Sequence, residues 1–233
     1  MSRDARLARF GYLPKLVPDP DILPEAQRHL WPTLGEVPDE FVLYGGTGLA
    51  LHLGHRESVA FDFFSSASFA PGDLLARVGW AGRPTIMESG PDTLVFSNPE
   101  GVKLSFFGGV DLRVVAEQCL VEENGLVVAS IYDLAGTKAK SLLDRSEWRD
   151  YVDIATLLRA GHRLPDIVGY AATIFGRRFE FPVPLFLRSL VYFEDGTASD
   201  APQDMQRGLE AAVRAAWNEA IPNVEPYAES IAP

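Results

Sequence analysis

The chain predicts an α+β fold, a mixed β-sheet packed with helices and followed by a helical C-terminal part. Three observations predict it. Short apolar runs of good strand formers recur between residues 41 and 107, separated by turn residues. Gly45-Gly46-Thr47 sits between two of these runs, where a strand must turn sharply into a short helix. From Ile131 onward the apolar residues switch to helical spacing. The expected division is an α/β core with an N-terminal extension over residues 1–129 and a helical part over 130–233 that completes a cleft.

The first forty residues carry six prolines and no chemistry. Arg3 to Arg9 reads as a helical turn. A second helix is expected from Pro24 to Trp31, with Pro24 at its first position and Leu30 and Trp31 inward.

Phe41 to Tyr44 is then a buried strand, closed by Gly45 and Gly46. Thr47 is placed to cap a helix running to Leu53, and Gly54 to stop it. A basic loop, His55-Arg56-Glu57-Ser58, leads into a strand from Val59 to Phe64. Side chains alternate along a strand, so Ala60, Asp62 and Phe64 share one face and Val59, Phe61 and Phe63 the other. Asp62 is the odd residue there. A carboxylate among phenylalanines is costly to bury unless it is paired or holds a metal. It is either a strand-end acid bonded to a backbone amide or a functional group.

Pro71 to Trp80 reads as a helix with Leu74, Leu75 and Val78 inward. Thr85–Met87, Thr93–Ser97 and Val102–Phe107 read as a meander of strands divided by Ser89-Gly90-Pro91-Asp92 and Asn98-Pro99-Glu100-Gly101. Leu126–Ala129 is a last strand. Ser130 with Asp133 has the spacing of a capping box. The helix it opens runs to about Leu143. Lys138 lies in its apolar stripe, where a lysine either snorkels to the rim or serves a site. The next helix carries Tyr151, Ile154, Ala155 and Leu158 on one side. Asp153, with Arg149 and Thr156, falls on the opposite face, which is solvent or cleft. Three further helices are expected over Asp166–Phe175, Pro182 or Pro184 to Phe193, and Gln203–Ala220. Leu185, Phe186, Leu190, Tyr192 and Trp217 are among their core candidates. A basic turn, Gly176-Arg177-Arg178, and a polar linker from Glu194 to Ala201 lie between them.

The stretch from Phe41 to Leu158 resembles the nucleotidyltransferase, polymerase-beta-like superfamily. Within it, the AbiEii/AbiGii abortive-infection toxin branch is the nearest pattern. The resemblance rests on the Gly-Gly-Thr turn, the His-Arg-x-Ser loop, the strand ending Asp-Phe-Phe, and Asp133-x-x-x-x-Lys138 followed by Arg-Asp150-x-x-Asp153. It implies a nucleotidyltransferase-like sheet and a nucleoside triphosphate held by Gly45, Gly46, Thr47, Arg56, Ser58 and Lys138. It implies Mg2+ on an Asp-x-Asp pair, with Asp62, Lys138 and Asp153 as catalytic residues. The first aspartate of that pair falls on Ala60, whose methyl cannot ligate a metal. The neighbouring strand offers Ser105 where a third acid would stand, and Glu88 is the only other acid suggested. The implied activity is transfer of a nucleotidyl group to an acceptor such as tRNA, as the toxin of a type IV pair with a cognate antitoxin. The alternative is a catalytically inactive nucleotide- or protein-binding module on the same fold.

Other chemistries lack a pattern. Gly45-Gly-Thr-Gly48 is no P-loop, since the Gly-Lys-Ser/Thr ending is missing. No Cys or acid stands at zinc spacing beside His52 or His55. Cys119 is alone, beside Leu120 and Val121, and reads as a small buried side chain. No apolar run spans a membrane and no signal peptide opens the chain, so a cytoplasmic protein is expected. The net charge of −11 argues against a polyanion-binding chain as a whole. It is uneven, however. Residues 194–233 carry eight acids against two arginines, and residues 136–192 carry nine basic residues against six acids.

Overall fold

The computed structural model describes residues 3–176, 180–194 and 201–231. The chain forms two compact units. One comprises Met1–Leu112, Glu117–Ser130 and Glu229–Pro233, and the other Arg113–Ala116 and Ile131–Ala228. The first unit also recruits the tail after residue 228, and the second takes four residues from ahead of its own helices.

The first unit is built on a mixed sheet of eight strands. These are β1 (Lys15–Leu16), β2 (Val42–Tyr44), β3 (Ala60–Phe64), β4 (Thr85–Gly90), β5 (Thr93–Ser97), β6 (Lys103–Phe107), β7 (Cys119–Val121) and β8 (Val127–Val128), in the order β1-β7-β8-β2-β3-β6-β5-β4. β2 runs antiparallel to β3, and β3 parallel to β6. The meander β4-β5-β6 is antiparallel throughout.

Alternation decides which face is buried. Phe61, Phe63, Phe96, Leu104 and Phe106 are wholly buried on one face. There Phe106 stacks on Phe63 with ring centroids 4.9 Å apart and meets Phe41 edge-on at 5.1 Å. Each such ring removes a large apolar area from water, and this packing holds the strands in one register. Ala60, Asp62 and Phe64 are only half-buried, on the other face. Val59 reads from the sequence as the first residue of this strand, on the face of Phe61 and Phe63. It precedes the strand and is 62% exposed.

Four helices flank the sheet within this unit: α1 (Arg3–Phe10), α2 (Glu25–Leu30), α3 (Gly45–Leu53) and α4 (Pro71–Arg77). α2 is capped by Pro24 and leads into a 3-10 turn, with Leu30 and Trp31 buried as expected. α3 starts at Gly45, three residues earlier than the sequence suggested. Tyr44, not Thr47, is its cap residue. Gly54 ends it in the left-handed conformation at φ +60. Neither β1 nor β7 was legible in the sequence. They are two and three residues long, too short for alternation to register, and they exist because Lys15-Leu16 pairs with Leu120-Val121. Cys119 opens β7 and is half-buried rather than buried.

The second unit is helical: α5 (Ile131–Arg145), α6 (Trp148–Arg159), α7 (Leu164–Phe175), α8 (Val183–Ser189) and α9 (Gln203–Ala216). α5 and α7 cross closely at Gly136. A Cβ there would stand 2.6 Å from Ile174 Cδ1 and 2.9 Å from the Ala171 amide nitrogen. Phe186, Leu190, Met205, Leu209 and Val213 fill the core. Leu185, Tyr192 and Trp217, expected inside, are 56%, 52% and 49% exposed. Leu185 falls on the outer side of α8, whose buried residues are Phe186 and Leu187, and Tyr192 and Trp217 follow the ends of α8 and α9. Arg177, Arg178 and residues 195–200 of the linker lie outside the described residues. Among the described residues, no helix is long and apolar enough to cross a membrane.

Candidate functional site

Three consecutive residues build the corner between β2 and α3, and each meets a residue of the segment 56–62. Gly45 has φ +71, a conformation that side chains resist, and a Cβ on it would lie 2.6 Å from Asp62 Oδ2. A Cβ on Gly46 would lie 3.0 Å from both Arg56 Nη2 and Ser58 Oγ. Thr47 is fully buried, and its hydroxyl donates to the Ala60 carbonyl oxygen at 2.5 Å. The two glycines are therefore demanded by close approach as well as by the turn. The threonine ties the helix start to the strand at Ala60, in place of the capping role its position suggested.

Six of the residues expected at the site thus converge in one unit: Gly45, Gly46, Thr47, Arg56, Ser58 and Asp62. Register explains the convergence. Tyr44 pairs with Asp62 across β2 and β3, so the chain leaves β2 directly beside the carboxylate. The first amides of a helix have no intrahelical acceptor, and at α3 they surround this corner. Such an end, with its positive dipole, favours an anion. Arg56 adds a cation whose Nη1 donates to the Glu57 carbonyl oxygen at 2.9 Å.

The metal-ligand pattern is incomplete. Across the parallel pair, Ala60 stands beside Lys103, Asp62 beside Ser105 and Phe64 beside Phe107. Ser105 is thus where a third acid would be looked for, and it is a buried serine. Glu88 lies in the same cross-sheet row, but three strands away from Asp62 on the exposed edge strand β4. Strand spacing of about 4.8 Å puts it far beyond shared ligation. Among the described residues, no group of three or more His, Cys, Asp or Glu is arranged to hold a metal ion.

Lys138 and Asp153 belong to the other unit, where they form a buried network. Lys138 Nζ lies 2.8 Å from Asp153 Oδ2 and 3.0 Å from Asp150 Oδ1. Arg145 closes on the same Asp150 with two bonds, Nε at 2.9 Å and Nη2 at 3.1 Å. Both aspartates are fully buried, and Lys138 is 5% exposed. This corrects the expectation that Asp153 lies opposite the apolar face with Arg149 and Thr156. α6 buries Asp150 and Asp153 alongside Tyr151 and Ile154, because two cations reach them there. Arg145, four residues ahead of the Arg149-Asp150 pair, was given no role by the sequence. The i, i+5 spacing from Asp150 spans the break between two helices and carries no helical signature.

Two other polar groups have structural roles. Asp133 is buried, and its carboxylate accepts from the amides of Val115 at 2.8 Å and Ala116 at 3.4 Å. It holds the inserted segment 113–116 to α5. His52 Nε2 bonds the Ala129 carbonyl oxygen at 2.9 Å, and burial lowers its pKa below the usual 6.5.

Comparison with known proteins assigns the pattern. The family model described as nucleotidyl transferase AbiEii toxin, type IV TA system, matches residues 33–231. An uncharacterized protein of Aquifex aeolicus (strain VF5) is 32% identical over 168 residues, covering 67% of this chain and 75% of its own. A crystal structure assigned as a nucleotidyltransferase from H. pylori aligns with a TM-score of 0.48 at 18% identity, covering 82% of this chain and 94% of its own.

Proposed function

The chain belongs to the AbiEii family of type IV nucleotidyl transferase toxins, and from that premise we propose that its glycine corner binds a nucleoside triphosphate, with nucleotidyl transfer impaired by Ala60. The observation that carries this reading is the contact of Gly45, Gly46 and Thr47, in turn, with Asp62, with Arg56 and Ser58, and with Ala60. Glycine in both leading positions lets a phosphate approach the amides at the start of α3, where the helix dipole favours it. Arg56 neutralises charge there, and Ser58 supplies a hydroxyl. The acceptor in this reading is a nucleic acid such as tRNA, and a cognate antitoxin is the protein partner.

Magnesium, which the resemblance implies, finds one carboxylate here. Two-ion phosphoryl-transfer sites need acids that flank both ions, and magnesium demands near-octahedral oxygen ligands. Asp62 alone, with the Ala60 methyl on one side and Ser105 on the other, does not fit a two-ion site. The same residues favour a second reading, a nucleotide- or protein-binding module without turnover. In either reading Lys138 and Asp153 belong to the catalytic set only by family resemblance. Lys138 is held by Asp150 and Asp153, within their own unit.

One experiment separates the readings. The protein and its Ala60→Asp variant are incubated with magnesium, labelled triphosphates and total tRNA. Labelling by the variant alone, or by the variant far faster than by the natural chain, establishes an impaired transferase. Nucleotide binding without labelling by either establishes the module. Absence of nucleotide binding by both defeats the proposal.

A further inference from the structure

Resting on that reading of the corner, we infer that this chain binds its phosphate ligand without a divalent ion, and that Lys103 supplies the positive charge beside Ala60. The inference starts from register. Lys103 is the Cα partner of Ala60 in the parallel pair of β3 and β6, so the two side chains leave the sheet on the same face. Phe61 and Leu104, the next pair, are wholly buried on the other face. Neighbours in such a pair have Cβ atoms about 5 Å apart. The Lys103 side chain therefore leaves the sheet beside a methyl group, at the position where the resemblance expects a carboxylate.

The surroundings leave that ammonium available. Lys103 is exposed, and among the described residues it forms no ion pair or hydrogen bond. Asp62 is its diagonal neighbour on the same face, two residues along β3, yet the two are not paired. With Arg56 at Gly46, two cations stand near Asp62, and Glu88, the other acid of that row, lies three strands away on β4, although the chain as a whole has a net charge of −11. An aspartate at position 60 would pair with Lys103 and cancel this charge. The methyl leaves it in place. Magnesium in a transferase neutralises phosphate charge and bridges acids to the substrate. A chain with one acid cannot build the bridge, but a lysine in register with the missing acid can meet the charge as a point cation.

The test is calorimetric titration of the full chain with ATP, GTP, CTP and UTP in turn, once in magnesium and once in EDTA. Lys103→Met and Ala60→Asp are measured beside the natural chain, with thermal unfolding as the control for folding. The natural chain is expected to bind equally in both buffers, within about threefold, whereas Lys103→Met weakens binding in EDTA by about tenfold, the loss of one charge-assisted contact. Ala60→Asp is expected to make binding dependent on magnesium. Binding by the natural chain only in magnesium, or undiminished binding by a folded Lys103→Met, overturns the inference and leaves the nucleotide site standing. A chain that binds no triphosphate in either buffer overturns both.

Discussion

Gly45 and Asp62 are in contact: the carboxylate occupies the place a side chain on Gly45 would take, 2.6 Å from its Cβ position. A carboxylate and the backbone conformation of the turn constrain one another at this point. The turn requires φ +71, and the acid requires that nothing but hydrogen project from the turn.

Gly45→Ala is therefore expected to do two things at once. It destabilises the fold by about 1–3 kcal/mol, from left-handed strain and the displaced carboxylate together. It also abolishes triphosphate binding. Gly54→Ala is the control. Gly54 has φ +60 but nothing within 4 Å of its Cβ position, so it should cost about 1 kcal/mol of strain and leave binding intact. Denaturant unfolding and calorimetry on both variants check the contrast.

The Lys138 network predicts a sharp loss of stability. Lys138→Met takes one cation from two buried aspartates at once, and breaking a buried pair in this way costs about 3–5 kcal/mol. Arg145→Met should cost less, because its side chain is 51% exposed and Lys138 still holds Asp150. Urea unfolding of the two variants gives the ranking. Equal losses would show that the network is not organised around Lys138.

Asp133→Asn should loosen the inserted segment selectively. The carboxylate accepts from two backbone amides, and an amide side chain offers one acceptor oxygen for both. Faster hydrogen exchange at Val115 and Ala116, with little change at α7, is the expected outcome.

His52 predicts an acid-side loss of stability. Burial lowers its folded pKa below about 6.5, so the unfolded chain takes up a proton that the folded chain refuses. The contribution of the neutral ring is complete above pH 6.5. It declines as pH falls below that value and levels off at the lowered folded pKa. The slope cannot exceed about 1.4 kcal/mol per pH unit for one proton. His52→Gln, which cannot titrate, should remove this component from unfolding free energies measured between pH 7 and pH 5.

The elements most legible in the sequence were those whose residues answer to local rules. Val42–Tyr44, Thr93–Ser97 and Lys103–Phe107 alternate or run apolar between turn residues, and all three are strands. Gly54 stops α3 as a left-handed cap. The misreadings have one source. Thr47 is a good capping residue by type, but the chain has a better use for its hydroxyl at the Ala60 carbonyl, thirteen residues away. Asp153 looked solvent-facing because a carboxylate was counted as polar. Buried against Lys138, it packs as part of the core face.

From the sequence came the pieces of the corner: glycines at a turn, and an acid out of place on an alternating strand, grouped with Thr47, Arg56 and Ser58 by family resemblance. The tertiary structure alone decided what stands beside Ala60 and what satisfies Asp150 and Asp153. Both depend on pairing between segments far apart in the chain or across a helix break, and the energy of a charge depends on its neighbours rather than on its own type. Local periodicity carries no record of those neighbours.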